Sequence, residues 1–307
     1  MILCICPSPA LDVTYHLPRL EPGGTNRVRT VSHRPGGKAL NVARVLHALG
    51  TDVRVLAPAG GTTGAQLAAD LAARGIAADL VPDAAETRRT IAVVDDAGEA
   101  TMLNEPARLS DWAGFHSRAA ELIPQADVVV VSGSLPDGVP GTAVAQVVDL
   151  ARDAGRPIVV DTSGPALLAA LTAGPTIVKP NADELATAAP GLEPPMAAAQ
   201  LAQRHGTTVV ASLGADGLIA AETTGRLWQA RPAARLQGNP TGAGDAVVAA
   251  LALGLLDRHP IADTLVTAVA LSAAAVLQPH AGEIDPADGT RQQDGIVVNE
   301  IEGGRWA

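Results

Sequence analysis

Aromatic residues are scarce in this 307-residue chain: three Trp, one Tyr and one Phe, 2% of the total. Apolar residues still make up 47%, so Ala, Val and Leu have to fill the core. Positive charge is also in short supply. The formal net charge is −10 and no long basic run occurs, which argues against nucleic acid as a partner. An acidic protein that handles anions has to gather its cations locally. No apolar run reaches the 18 residues a membrane span needs, and the first residues lack a basic stretch, so a soluble, cytoplasmic chain is expected. Only two cysteines are present, Cys4 and Cys6 in "MILCICPSP". On a strand they share one face, and buried free thiols are expected rather than a metal site or a disulfide. Neither an internal repeat nor a low-complexity linker interrupts the chain.

Lysine is the rarest charged residue. Of 22 basic residues only Lys38 and Lys179 are lysines; the rest are Arg. Lys is a compact, flexible point charge where Arg is a planar fork. Both lysines fall at motif-like junctions, "PGGK" and "IVKPN", which points to a functional role for each.

What the chain does have is alternation. Short β-rich runs ("ILCIC", "DVRVLAP", "DVVVVSG", "PIVVDTS", "TIVKPN", "TTVVASLG") are separated by runs that predict helices at 38–49, 63–74, 110–123, 141–154, 165–172, 182–189 and 197–205. Near-continuous Val/Ile runs imply strands buried on both faces. Strand–helix alternation then implies an α/β fold with a doubly wound, mostly parallel sheet. Residues 12–35 and 86–105 break the pattern as extended segments without helices. They predict a small antiparallel sheet over the carboxyl ends of the parallel strands, a lid inserted into one domain spanning 1–307. "DDAG" at 95–98 is its hairpin turn signal. The late segment 283–307 is polar and turn-rich, and no role is assigned to it.

"NPTGAGDAVVAAL" (239–251) carries the strongest chemical signal. Gly inside a helix costs about 1 kcal/mol relative to Ala, so Gly242 and Gly244 are placed at the helix start. Gly242-Ala243-Gly244 leaves backbone N–H groups unobstructed there, and the helix dipole favours an anion. The plain structural reading makes Asp245 a favourable first-turn residue, but it leaves the two glycines unexplained. A carboxylate beside an anion-binding nest suits a general base that deprotonates a hydroxyl.

In "RPGGKALNVARVLHALG" (34–50), Gly36-Gly37 precede a helix on which Lys38 and Asn41, three apart, share a face. This donor cluster could hold sugar hydroxyls; it does not match the phosphate-binding P-loop pattern. In "KPNADEL" (179–185), Asn181 and Glu184 have capping-box spacing, which is the favoured reading over a hard-cation site. "SLGADGLIAAE" (212–222) reads as strand, glycine turn, strand. A dinucleotide fingerprint needs a helix there, so NAD is not expected, yet a nucleotide could approach the turn. Arg27, Arg88 and Arg89 lie near the lid. A guanidinium suits a phosphoryl group, but neighbouring strand residues alternate faces, so only one of Arg88 and Arg89 points inward.

In this order the stretches resemble the ribokinase-like (PfkB) carbohydrate kinases, over nearly the whole chain. "PGGKALNVARVLHALG" looks like the first family signature and "NPTGAGDAVVAAL" like the second. "CPSPALDVTYHL", "ETRRTIAVVDDAGEATMLNEP", "SGSLPDGVP", "KPNADELA" and "AGEID" resemble the phosphosugar branch, which holds 1-phosphofructokinase, tagatose-6-phosphate kinase and the minor-type 6-phosphofructokinase. The resemblance implies Asp245 as base and Gly242, Ala243 and Gly244 as anion hole. It implies Asp12, Gly37, Lys38, Asn41 and Ser134 in the sugar site, Arg88 on the substrate's phosphate, and Arg27 as a helper from a partner subunit's lid. Lys179, Asn181 and Glu184 match the nucleotide and Mg²⁺ region, with Asn181 and Glu184 reaching the metal through water. Ser212, Gly214 and Gly217 match the ATP turn. ATP and Mg²⁺ are the implied cofactors, K⁺ is a further candidate, and the lid would complete a homodimer. Ser8, Ala39, Pro240 and Ala92 depart from common family residues. Ala92 stands where 1-phosphofructokinases often carry Lys, which weakens the case for fructose 1-phosphate. Competing readings are a kinase of a free sugar or nucleoside and a non-catalytic sugar-phosphate sensor. The sensor would be expected to lose the base or the anion hole, and "GAGD" is intact. An NAD-dependent oxidoreductase rests on sheet architecture alone.

Overall fold

The structure, a computed structural model, describes residues 1–301 apart from positions 235, 237 and 279. The last six residues of the late polar segment, 302–307, lie outside the described residues. The first part of the chain forms β1 (Ile2–Ile5), β2 (Ala10–His16), β3 (Thr30–Gly36), α1 (Lys38–Ala48), β4 (Val53–Ala59), α2 (Gly61–Ala73) and β5 (Ala77–Pro82). Next come β6 (Arg89–Val94), β7 (Ala100–Asn104), α3 (Trp112–Leu122), β8 (Val128–Ser132), α4 (Ala143–Asp153), β9 (Ile158–Asp161), α5 (Gly164–Ala173) and β10 (Ile177–Val178). The remainder forms α6 (Ala182–Ala188), α7 (Pro194–His205), β11 (Thr208–Ser212), β12 (Leu218–Ala221) and β13 (Leu227–Arg231). It closes with α8 (Ala243–Asp257), α9 (Ile261–Val276), α10 (Pro286–Gln293) and β14 (Val297–Glu300).

The main sheet runs β14-β13-β12-β11-β10-β9-β8-β1-β4-β5. Neighbours from β11 to β5 are parallel. β12, β13 and β14 extend one edge antiparallel. β1, β8 and β9 are buried along their whole length, because alternate residues feed different cores. Ile2, Cys4, Val128 and Val130 pack with apolar residues of α1, α8 and α9, while Leu3, Ile5, Val129 and Val131 pack with Phe115, Val144 and Val147. Burying each Val, Leu or Ile side chain is worth roughly 1.5–3 kcal/mol, so runs without polar interruption are the stable choice. Cys4 and Cys6 are both buried and free, as expected from their spacing. Burial pushes both thiols up, Cys6 to about 12.

β3-β2-β6-β7 form a separate four-stranded sheet. β2–β3 and β6–β7 are antiparallel pairs, joined at the centre by a parallel β2–β6 pairing. The central pair is parallel because β2 and β6 both leave the main sheet from carboxyl ends, those of β1 and β5. The "DDAG" turn forms: Gly98, at φ 82°, donates to the Asp95 carbonyl at 2.9 Å. Sequence analysis assigned no element to β5, β13, β14, α9 or α10. Helix α9 has no polar stripe to mark it, since residues on most of its circumference are buried against α8 and its surroundings. Among the described residues, no helix is long and apolar enough to cross a membrane.

Candidate active site

β11, β10, β9, β8 and β1 are consecutive in the sheet, and their carboxyl ends bring distant residues to one edge. Ser132 closes β8, Asp161 closes β9, Lys179 follows β10 and Ser212 closes β11. The starts of α1 and α8 face the same edge, where open parallel sheets bind ligands.

Asp161 is the electrostatic centre. It is 1% exposed and accepts a hydrogen bond from Ser132 Oγ at 3.1 Å. Lys38 Nζ lies 3.4 Å from one of its oxygens and Lys179 Nζ 3.3 Å from the other. The Lys179 contact is an ion pair without hydrogen-bond alignment, since that oxygen has no such partner. Burial pushes the Asp161 carboxyl up, but Lys179 and Lys38 outweigh it and hold the carboxyl below its ordinary range. Asp161 is therefore the charged anchor of two ammonium groups.

Asp245 behaves oppositely. It lies in the first turn of α8 and is 6% exposed. Burial, followed by repulsion from Asp161, pushes it up to about 7, against the donor Asn41 and the two lysines. Asn41 Nδ2 donates to Asp245 Oδ2 at 2.7 Å. Two buried carboxylates pushed apart in this way could divide acid and base roles between them, the raised one being able to take a proton near neutrality.

The two glycines of "GAGD" differ in purpose. Gly242 caps α8 at φ 88°, and a Cβ there would lie 2.8 Å from Ala281 Cα. At Gly244 a Cβ would meet only the Lys179 ammonium, at 3.7 Å. The fold admits a methyl group at 244, so the glycine keeps open the space in front of Lys179 and the helix amides. Ala243 N–H donates back to the Pro240 carbonyl at 3.2 Å, whereas those of Gly244 and Asp245 meet no acceptor among the described residues. Those two amides, with the helix dipole and Lys179, could together hold an anion. Gly242→Ala is expected to lose about 2–3 kcal/mol in chemical denaturation, since a left-handed backbone alone costs a non-glycine residue about 1–2 kcal/mol. Gly244→Ala should stay within about 1 kcal/mol of the wild type in the same measurement, yet lose turnover.

The sequence matches the pfkB family carbohydrate kinases over residues 9–288. The chain belongs to that family. 1-Phosphofructokinase from Escherichia coli (strain K12) is 36% identical over 296 residues, 91% of each chain. Phosphofructokinase-2 from Escherichia coli, solved in complex with potassium, superposes with a TM-score of 0.89 at 29% identity, covering 95% of this chain and 97% of that one. Arabidopsis thaliana ribokinase, solved with ribose and ATP, has a TM-score of 0.76 at 20% identity over 95% and 98%, a likeness of fold alone. The fold is ribokinase-like.

This pfkB kinase brings Lys38, Asn41, Lys179, Gly244 and Asp245 together as one cluster. Gly37 starts α1 at φ 107°, where a Cβ would come within 3.0 Å of Cys6 Sγ. Asp12 on β2 is raised by burial, against Arg44, Arg88 and a hydrogen bond with Thr90. A Cβ on Gly36 would overlap its carboxylate. Of the arginine pair, Arg89 is exposed and ion-paired with Glu105 at 3.9 Å. Arg88 turns inward and lines a small cavity, about 10 Å³, with Ser8, Gly60, Thr87 and Arg108. Its Nε and Ser8 Oγ are buried without a partner. Ser134 is exposed just beyond β8. Arg27 is exposed in the loop between β2 and β3 and makes no hydrogen bond or ion pair with a described residue.

Asn181 and Glu184 form the capping box that their spacing predicted. Asn181 Oδ1 accepts from the Glu184 amide and Glu184 Oε2 from the Asn181 amide, both at 2.8 Å. An isolated bridge between Asn181 and Ser212 sets this helix start beside the glycine turn. Gly214 (φ 60°) opens onto free space, while Gly217 (φ 89°) sits where a Cβ would strike the Ala230 carbonyl. A strand, β12, follows the turn as expected. Among the described residues no cluster of three or more His, Cys, Asp or Glu side chains could hold a metal ion. Sequence analysis missed Asp161, Ser132, Arg44 and Arg108. Asp161 had a readable signal, a lone carboxylate closing a buried Val run.

Proposed function

We propose that this protein is an ATP- and Mg²⁺-dependent kinase that phosphorylates a hydroxyl of a phosphorylated ketohexose in the cytoplasm. The observation that carries this reading is the split carboxylate pair, with the raised Asp245 set beside unengaged helix amides and two ammonium groups. In the proposed reaction Asp245 Oδ1 accepts the proton of the attacking hydroxyl while Asn41 holds Oδ2. The Gly244 and Asp245 amides, Lys179 and the half-exposed Lys38 stabilise charge on the transferred phosphoryl group, which is most of what phosphoryl transfer asks of a protein. Asp12 and Asn41 would bind sugar hydroxyls and Ser134 would close over them. The turn at Ser212, Gly214 and Gly217 would receive the nucleotide.

Mg²⁺ keeps several waters and binds through few carboxylates plus substrate phosphates. Glu184 fits that role: its capping box uses one oxygen and leaves the other without a hydrogen bond among the described residues. When bound, Mg²⁺ supplies neutralising charge to phosphate oxygens. K⁺ enters as a candidate because a relative was solved with potassium. A second copy is proposed to cover the side sheet, where Val31, Met102 and Leu103 are about half exposed (50%, 49% and 54%), and to contribute Arg27.

Candidate acceptors are fructose 1-phosphate, fructose 6-phosphate and tagatose 6-phosphate. Fructose 1-phosphate is favoured by the 36% identical relative and disfavoured by Ala92. The buried, unpartnered Arg88 Nε supports a phosphorylated substrate. The test is ADP release with MgATP against these three, with free fructose, ribose and adenosine as comparison. Turnover confined to one phosphosugar supports the reading. Turnover only with an unphosphorylated acceptor would replace it with a free-sugar or nucleoside kinase, and phosphosugar binding without turnover with a sensor. Arg88→Ala should raise KM for the phosphosugar by about tenfold or more, with a smaller change in kcat.

A further inference from the structure

One buried cation has no part in the proposal above. Arg44 is 7% exposed on α1, one turn on from the equally buried Asn41. It donates to the carbonyls of Pro35 at 2.5 Å and Ala281 at 2.6 Å, and to Asn41 Oδ1 at 2.5 Å. The acceptors belong to three separate parts of the chain: the end of β3, α1 itself and the loop after α9. Space is held for it by Gly282, where a Cβ would come within 2.6 Å of the guanidinium.

A guanidinium has donors only, whereas a carboxamide has a donor end and an acceptor end that differ little in shape. With Arg44 on one side, only the oxygen of Asn41 can face it. The NH₂ group must then face Asp245. We propose that Arg44 is a positioning residue: it fixes the direction of the Asn41 amide, and through it which oxygen of Asp245 is held by a donor and which is left to take the proton. This rests on the reading of Asp245 as the base. A donor on Oδ2 favours the ionised carboxylate. Without Arg44 the amide can turn its oxygen to a protonated Asp245 instead, storing the proton the reaction has to remove.

The surrounding charges are numerous. Arg44 faces Asp12 on β2, Arg34 on β3, Arg74 after α2 and Asp245, and lies near His280. Asp245 faces Asp161, Lys38 and Lys179. A purely electrostatic role for Arg44 has therefore to be separated from an orienting one. Arg44→Lys separates them: the ammonium keeps the charge and the donor character, but on a shorter stem it loses the planar fork that holds Asn41 Oδ1 together with the Pro35 and Ala281 carbonyls, and with it the fixed grip on the amide.

The experiment is a double-mutant cycle of Arg44→Lys and Asn41→Ala, read as pH profiles of kcat, with thermal midpoints to verify folding. Arg44→Lys is expected to lower kcat about tenfold with phosphosugar KM within about twofold, and to move the acid limb up by about half a pH unit. On the Asn41→Ala background the same change should cost no more than about twofold further. Equal losses in both backgrounds, or an unmoved limb, would overturn the assignment. If Arg44→Lys does not fold, Arg44→Gln serves. Its amide offers Asn41 an acceptor as well as donors, so it no longer dictates which end of Asn41 faces it; the limb should rise in the wild-type background and stay in place on Asn41→Ala, and an unmoved limb or an equal rise in both backgrounds overturns the proposal. Asp245→Asn is run beside them. Wild-type turnover there means the base reading fails; lost turnover with an additive cycle means only the Arg44 assignment fails.

Discussion

Asp245→Asn is expected to lower kcat by about 10²–10⁴-fold while KM for both substrates stays within about threefold. The substitution keeps the shape of the side chain and its hydrogen bond from Asn41 and removes only the proton acceptor. The wild-type rate should fall on acidification with a limb near the raised value of Asp245, about 7, because the base works ionised. In Asp245→Asn that limb should vanish from whatever activity remains. Stability should move the other way. Asp245 is raised in the folded protein, so its contribution is fully present below the ordinary carboxylate range and is lost as pH rises to about 7. At pH 8 the wild type carries a buried, partly uncompensated charge that the Asn variant lacks. The variant should then be more stable by on the order of 1–3 kcal/mol, and at about pH 3 the two should be nearly equal. Denaturant titrations at both pH values measure this. An unchanged kcat would remove the base assignment outright.

Asp161→Asn should be the most damaging substitution for stability at the site. Removing one partner of a buried ion pair leaves the other charge uncompensated, at a typical cost of about 3–5 kcal/mol. Here the stranded charge is Lys179, whose side chain is only 4% exposed, with the Lys38 ammonium drawn to the same carboxylate. Freed of that carboxylate, the two cations repel and Lys179 moves from its place over Gly244, so kcat should fall by about tenfold or more. The pH profile offers a sharper readout. Asp161 is one of the causes that raise Asp245, so its loss should move the acid limb down, opposite to the shift expected for Arg44→Lys. Asp161 itself sits below its ordinary range because the lysines outweigh burial. The stability it contributes is therefore present above the ordinary range and is lost as pH falls through its lowered value. In Asp161→Asn that acid-side loss should disappear. A limb that stays in place would mean the two carboxylates do not communicate.

Much of this was legible in the residues. Val/Ile runs separated by amphipathic stretches specify strands buried on both faces, because a parallel sheet is covered by helices. The rarity of lysine singled out Lys38 and Lys179, and both ammonium groups meet on Asp161. "GAGD" marked the start of α8, where only glycine accommodates φ 88° beside Ala281. The Asn181–Glu184 spacing gave its capping box, since three residues is one helical turn and both partners are local. Less was visible wherever a residue's role depends on a distant partner. β5 and β14 are half-exposed edge strands whose sequences lack a continuous apolar run. Arg108 reaches the Arg88 cavity only through the path of the chain after the side sheet.

The sequence by itself determined the layered α/β architecture, the glycine start of α8 and the residue types able to bind an anion and accept a proton. Those follow from short-range physics: periodic burial, backbone sterics and helix-end dipoles. The tertiary structure alone decided which carboxylate is held ionised and which is raised. That choice depends on Lys38, Ser132, Asp161, Lys179 and Asp245, spread over more than 200 positions of chain, arriving within a few ångströms at the carboxyl edge of one sheet. Burial and Coulomb interactions act through that distance in space and leave no trace in the spacing along the chain.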